Sequence, residues 1–375
     1  MIIVGAGPAG SVLGYELARA GADVVILEKE KMPRYKTCGG GVNFRAATLL
    51  DFDISQVTER VVYGGEVTFR QRHGFTRYYP EPLTYMVMRD RFDLLLAERA
   101  VGAGARLLED AKVTDIQQVN GHIVLEGKVQ PVRGRFIVGA DGANGIVARH
   151  LGLMRNPKMC VALEAEIQVP ESILARWESI ATIDVGVIPG GYAWVFPKED
   201  HLSIGVMGDV QYARSLKKYY ERFVDSQRLG DYRVRRLKGH RLPLRRPGMS
   251  IQNGQGLLIG DAAGLIDPFS GDGIYYAIKS AKIASSALLR ALGTEASGLG
   301  GYQGVVDRDI MPERRVAAAM LTISSWAPFL FFQWLKRHQM PWRMACKTIR
   351  GDREYTDVRN KLGPMRLFLD MVRGL

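Results

Sequence analysis

IIVGAGPAGSVLGYELARAGADVVILE, residues Ile2 to Glu28, is the stretch that decides the fold. A very short apolar segment ends in Gly5-x-Gly7-x-x-Gly10, an Ala/Leu-rich stretch runs to Ala20, and ADVVILE reads as a second strand. Strand, glycine turn, helix and strand make a βαβ unit. In that unit Gly5 lets the chain turn tightly, Gly7 lets backbone approach a pyrophosphate, and Gly10 lets the helix pack closely on the strand. The helix start offers unpaired N–H groups and the positive end of its dipole to phosphates. Glu28 stands where a carboxylate accepts from ribose hydroxyls, and a carboxylate there speaks against a 2′-phosphorylated nucleotide. An ordinary Gly-rich turn requires none of these companions, so the reading is a dinucleotide site. By itself it does not separate FAD from NAD.

Further along, Phe92, Leu95, Leu96 and Ala100 fall on one face of a helix predicted over 91–103, which leads into the strands ARLLED and KVTDIQQV. RFIVGADG reads as a buried strand ending in a tight turn. Between Met159 and Met207 the texture changes to apolar/polar alternation with turn signals, as expected for an antiparallel sheet. βα patterning then returns at GLLIGDAAG and in DGIYYAIKSAKIASSALLRAL. The expected class is α/β. A discontinuous Rossmann-like domain (1–50, 86–155 and 240–298) would bind the dinucleotide, 51–85 and 156–239 would form an antiparallel-sheet substrate domain, and 299–375 a helical C-terminal region.

The chain has 375 residues, 47% of them hydrophobic and 24% charged, enough for a sizeable core and two or three units. Its three cysteines, Cys38, Cys160 and Cys346, are scattered and give neither a disulfide framework nor metal-ligand spacing. No metal is expected, and a reducing compartment, the cytoplasm, fits best. No cleavable leader is expected before MIIV, which already reads as the first strand. A net charge of +12 favours anionic partners, but the basic residues are dispersed and accompany no recognition module, so nucleic acid is not expected.

Two later segments, GADGANG (Gly139–Gly145) and GLLIGDAAGLIDPFSGDGIYYA (Gly256–Ala277), make the chain resemble the flavoprotein superfamily of para-hydroxybenzoate hydroxylase. Its members share the N-terminal fingerprint, a central DG motif (here Asp141-Gly142) and a late GD motif (Gly260-Asp261). The resemblance implies FAD, with Asp261 on the ribityl chain and Arg89 of RDRFD near the cofactor. The residues agree independently. Asp261 follows an apolar strand at a turn, where it can accept from sugar-like hydroxyls. The helix after Gly271, Gly273 and Ile274 would aim its positive end at the flavin N1/O2 edge.

PRYKTCGGGV (Pro33–Val42) and YAWVFP (Tyr192–Pro197) narrow the match: the chain is similar to the geranylgeranyl reductases, which saturate isoprenoid C=C bonds on lipids or diphosphates. That resemblance implies that Cys38, Gly39 and Gly40 lie against the isoalloxazine, and that Tyr192, Trp194, Phe196 and Pro197 help form the substrate cavity. Three glycines after Cys38 would let backbone approach a planar ring. Alternation would place Tyr192, Trp194 and Phe196 on one strand face, a wall suited to a long polyprenyl chain. Cys38, Tyr192 and ordered water all stay open as the proton donor. No second G-x-G-x-x-G is present, so an electron donor, NAD(P)H or a protein such as reduced ferredoxin, binds transiently or without that fold.

Residues 316–335, VAAAMLTISSWAPFLFFQWL, carry no charge and have basic residues on both sides. Core or cavity lid, a peripheral element on the cytoplasmic membrane surface, and a span are the readings. Two other functions compete with the reductase. A monooxygenase or epoxidase of the same superfamily would insert oxygen. A flavoprotein electron carrier to quinone would need a cysteine-ligated iron–sulfur cluster, which three scattered cysteines do not supply.

Overall fold

The computed structural model describes residues 1–293 and 299–360. Residue 298, where the dinucleotide-binding segment was expected to end, and residues 361–375 of the expected helical region lie outside them.

Strand Ile2–Val4 sits inside a six-stranded sheet ordered Gln252–Asn253, Gly256–Leu258, Ile137–Gly139, Ile2–Val4, Val25–Leu27, Arg106–Leu108. Its neighbours are parallel apart from the 252–253/256–258 hairpin. The inner strands are three residues each and buried throughout, as a parallel sheet covered on both faces requires. Helix Pro8–Arg19 packs against helices Arg89–Gly102 and Ile274–Leu292. Phe92, Leu95, Leu96 and Ala100 are all buried, as their spacing predicts. The chain leaves Ile2–Val4 toward Val25–Leu27 on one side and returns with Ile137–Gly139 on the other. That reversal opens a crevice at the C-terminal strand ends, where Gly5 and Asp141 emerge side by side.

A second sheet has seven strands, ordered Arg233–Leu244, Lys158–Gln168, Leu202–Asp209, Tyr192–Pro197, Ile180–Val185, Gly64–Phe69, His73–Tyr78. The strands between Met159 and Met207 pair antiparallel, as their alternation predicts, and the one parallel junction of the sheet is that of Gly64–Phe69 with Ile180–Val185. The two strands come from segments over a hundred residues apart, and no hairpin dictates their relative direction. Helix Ala213–Ser226 covers one face of this sheet with Leu216, Tyr220, Phe223 and Val224, an i, i+4, i+7, i+8 stripe.

The uncharged run 316–335 is divided. Helix Met311–Trp326 stops at Ala327 (φ −135°, ψ 62°) and helix Pro328–Arg337 begins after a 105° bend. Pro328 forces this: it disfavours helical geometry at the preceding residue and suits the first position of a new helix. Among the described residues no single helix is long and apolar enough to cross a membrane.

Candidate active site

The crevice between Ile2–Val4 and Ile137–Gly139 is one end of a continuous cavity of about 1380 Å³. That exceeds the ~300–1,000 Å³ of a pocket for one small ligand, so it has room for a cofactor and a substrate together. At this end Gly5 (φ +105°) could carry no side chain, because a Cβ would fall 2.5 Å from the Ala140 carbonyl oxygen. At Gly10 a Cβ would fall 1.9 Å from the Gly5 oxygen. Gly5 and Gly7 line the cavity, whereas Gly10 and Gly260 do not. Those two serve close packing, Gly260 against Ala9 and Ala277.

Glu28 is 3% exposed, and its carboxylate accepts from the Ala6 N–H at 2.9 Å and the Glu30 N–H at 3.3 Å. It therefore clamps the glycine turn as well as facing the cavity. Arg34, which the sequence reading passed over, reaches Glu28 at 3.4 Å and Asp93 at 2.8 Å. Its guanidinium lies 3.8 Å from where a Gly7 Cβ would stand, beside the turn built for phosphates. Arg89 grips Asp93 through two hydrogen bonds of 2.7 and 2.8 Å. Burial works against the Arg89 charge, yet Asp93 and the Cys38 sulfur hold its pKa above the usual arginine value. Glu28, Arg34, Asp93 and Arg89 thus form a buried, charge-balanced chain along the cavity wall.

Opposite, Asp141 accepts from the Val147 N–H at 3.1 Å through one carboxylate oxygen, while the buried second oxygen has no partner among the described residues. Burial raises its pKa, with the Val147 N–H pulling against it. Gly142 (φ +73°) has open space at its Cα. Asp261 also lines the cavity, its pKa pushed up by burial against the charges of Lys36 and Arg89. An orphaned carboxylate oxygen, a glycine cradle and a second carboxylate further along suit a dinucleotide lying across the crevice. The N-terminus of helix Ile274–Leu292 is less open than its sequence suggests. Asp272 accepts from the Tyr275 N–H at 3.1 Å and is held by Arg45 at 2.9 Å and Asn43 at 2.8 Å. Gly271, Gly273 and Ile274 remain on the cavity surface.

In the middle of the cavity the Cys38–Gly41 segment meets the aromatic strand. Tyr192, Trp194 and Phe196 share one face, with successive ring centroids 6.0 Å apart. Gly39 is pressed against them so closely that a Cβ would fall 2.8 Å from Phe196 and 3.2 Å from the Trp194 indole nitrogen. Pro197 is not among the cavity-lining residues; strand alternation puts it on the opposite face, where it is buried. The Tyr192 hydroxyl donates to the Ser270 carbonyl, and burial lifts its pKa further above the ordinary tyrosine value. The Cys38 sulfur accepts from the Gly40 N–H at 3.4 Å.

Two charged residues at this junction went unread. Lys198, only 1% exposed, donates to the Gly39 and Val87 carbonyls, both at 2.8 Å, and so binds the glycine segment to the strand end. Its signal, a lysine directly after YAWVFP, reads as part of a solvated turn. Glu164 lines the cavity at 2% exposure, accepting from Ser203 at 2.9 Å and Tyr35 at 3.2 Å. Beyond them the cavity continues between the seven-stranded sheet and the elbow of helices Met311–Trp326 and Pro328–Arg337. It is lined there by Val67, Ile183, Leu321, Pro328 and Phe331, with Trp342 over Gly65. The uncharged run is therefore a cavity wall on one side. On the other it exposes Trp326, Phe329, Leu330 and Trp334.

Known proteins resemble this chain in sequence and in fold. Residues 1–185 match an FAD binding domain, and residues 173–238 match the geranylgeranyl reductase catalytic domain. The chain is 30% identical to the chloroplastic geranylgeranyl diphosphate reductase of Oryza sativa, over 84% of this chain and 72% of that protein. It is 26% identical to the digeranylgeranylglycerophospholipid reductase of Methanocaldococcus jannaschii, over 78% and 77% of the two chains. A geranylgeranyl bacteriochlorophyll reductase-like protein of Thermoplasma acidophilum superposes with a TM-score of 0.77 at 23% identity, covering 86% of each chain.

Proposed function

The chain belongs to the geranylgeranyl reductase family of FAD-dependent oxidoreductases, and on that premise we propose that it saturates C=C bonds of a geranylgeranyl or related polyprenyl chain. The observation that carries this reading is the junction of Cys38–Gly41 with the Tyr192, Trp194 and Phe196 wall, at the head of an apolar channel. A polyprenyl chain offers area and no hydrogen bonds, and such a channel holds it by burial at roughly 25 cal/mol per Å².

When bound, FAD supplies hydride to one carbon of the double bond. The residues of the chain do the rest. Arg34, Asp141 and Asp261 would hold the dinucleotide. Gly39 and Gly40 would keep side chains off the ring face, with Lys198 fixing the segment that carries them. The aromatic wall and Phe331 would orient the alkene and keep water out. The electron donor would be NAD(P)H or a reduced ferredoxin-like protein.

The exposed outer side of the helix elbow supports peripheral docking on a membrane: Trp326, Phe329, Leu330 and Trp334 face outward, and Lys336 and Arg337 follow at the end of the second helix. Such docking would place the channel beside a lipid-borne substrate.

The test is a single turnover. Anaerobically reduced protein is mixed with geranylgeranyl diphosphate, a geranylgeranylated ether lipid, a geranylgeranyl pigment ester or a menaquinone, and products are weighed by mass spectrometry. Additions of two hydrogens are expected on at least one; no increment on any of them refutes the function.

A further inference from the structure

Saturating an alkene requires a proton as well as a hydride, and the Tyr192 hydroxyl beside the glycine segment is committed to the Ser270 carbonyl. We infer that the Glu164 carboxyl is the group that protonates the second alkene carbon. This rests on the reductase reading above.

The geometry that points to Glu164 starts from its strand. Lys158–Gln168 is an inner strand, paired on one side with Leu202–Asp209 and on the other with Arg233–Leu244. Its backbone is satisfied in the ladder, and alternation sends Ala162 and Glu164 to the cavity while Leu163 and Ala165 join the core behind. The two carboxyl oxygens have separate partners. Ser203 Oγ, 2.9 Å from Oε1, also receives the Trp194 indole N–H at 3.4 Å. Through it, Glu164 is tied to the aromatic wall against Gly39. The Tyr35 hydroxyl, 3.2 Å from Oε2, belongs to a ring lying 3.9 Å beneath the Arg236 guanidinium, on a strand whose outer end is exposed to solvent. Glu164 thus lines the cavity beside a half-buried tyrosine hydroxyl whose ring is covered by an exposed arginine.

The charges around it are mixed. Glu166 on the same strand opposes ionisation and Lys198 favours it, while Arg236 and Lys238 approach from the neighbouring strand and Tyr220 from the helix behind. Burial dominates, opposed chiefly by the Ser203 hydrogen bond, and brings the carboxyl to about 7. A carboxyl in that range both gives and regains a proton at neutral pH. In the step, the Glu164 O–H bond breaks as the C–H bond forms at one alkene carbon. The other carbon receives hydride, and with it both electrons, from the reduced flavin. The carboxylate left behind is held by Ser203 and Tyr35 and regains its proton from water by way of the Tyr35 hydroxyl.

The experiment compares the wild type with Glu164→Gln and Glu164→Asp in anaerobic single turnovers on a prenyl substrate from pH 5 to 9. FAD content and substrate affinity are measured alongside. The wild-type rate should fall as pH rises through about 7. Glu164→Gln should lose about 100-fold or more together with that pH limb, at unchanged FAD content and affinity. Glu164→Asp should keep the limb at lower rate. Independently of turnover, infrared difference spectra of the FAD-loaded protein should show a carboxyl C=O band that titrates near neutrality and is absent in Glu164→Gln. Wild-type turnover with Glu164→Gln equally fast over the same pH profile overturns the assignment alone. A wild type that adds hydrogen to no prenyl substrate overturns the reductase reading, and this assignment with it.

Discussion

Replacing Glu164 by Gln should change how the stability of the protein depends on pH, by an amount that follows from its surroundings. In the folded protein the carboxyl titrates at about 7 against an ordinary 4.5, because burial penalises its charge. Between those values the folded state keeps a proton that the unfolded chain has lost. Folding stability therefore falls as pH rises from 4.5 to 7, and this contribution is flat on either side. A difference of about 2.5 pH units amounts to about 3 kcal/mol. Gln cannot ionise and carries no such dependence. Other displaced groups, such as Asp184, raised to about 6 by burial, and His240, lowered to about 4 chiefly by burial and then by Lys36, are present in both proteins and cancel in the difference. The midpoint of Glu164→Gln relative to wild type should therefore climb by roughly 4 °C between pH 4.5 and pH 8, given ~2 cal/mol/K of unfolding entropy per residue. Thermal melts of the FAD-loaded proteins across that range measure it directly. A midpoint difference that stays constant with pH would refute the claim that burial raises the Glu164 carboxyl toward neutrality.

Gly40→Ala and Gly39→Ala should part company. A Cβ at Gly40 (φ +67°) would fall 2.1 Å from the Val87 oxygen, so denaturant melts should show a loss of at least ~2 kcal/mol. The atoms nearest a Cβ at Gly39 belong to the Phe196 and Trp194 side chains and not to backbone, so the fold should survive while the bound-flavin absorption spectrum shifts. Arg34→Met removes the cation shared by Glu28 and Asp93, leaving Glu28 to its two backbone N–H partners and Asp93 to Arg89, and calorimetric titration of apoprotein should show FAD affinity down at least ~10-fold. Trp326→Ser combined with Leu330→Ser removes two exposed apolar side chains that do not line the cavity. Flotation with anionic vesicles should fall while turnover of a detergent-dispersed prenyl substrate is retained.

The parts of this molecule legible in its sequence are those where a local rule fixes a local shape. Gly5 and Gly10 announce a strand-to-helix turn because a Cβ at either would collide with backbone, and Pro328 announces the break in the apolar run. The aromatic face of Tyr192, Trp194 and Phe196 follows from period two alone. What escaped depends on contacts between distant segments. Arg34 and Asp93 are 59 residues apart, and nothing near either one declares the ion chain from Glu28 to Arg89. Lys198 looks like an ordinary turn lysine until the Gly39 and Val87 carbonyls are brought to it. Glu164 and Glu166 sit at the polar positions of an alternating strand, and that pattern normally means solvent. Only the neighbouring sheet strands and Tyr35 turn one of those positions into a buried carboxyl.

The elbow at Ala327 has a consequence for how a greasy substrate travels. Leu321, Ser324, Ser325, Pro328 and Phe331 face inward on the same few turns whose outer side presents Trp326 at 58% and Leu330 at 68% exposure. A helix with its side chains is about 10–12 Å across. The partition between the exterior and the channel is one helix thick at this place, so any tilt of the elbow alters the bore and the outer surface together. A prenyl tail entering here would exchange one apolar surface for another, with only a short passage through water between them.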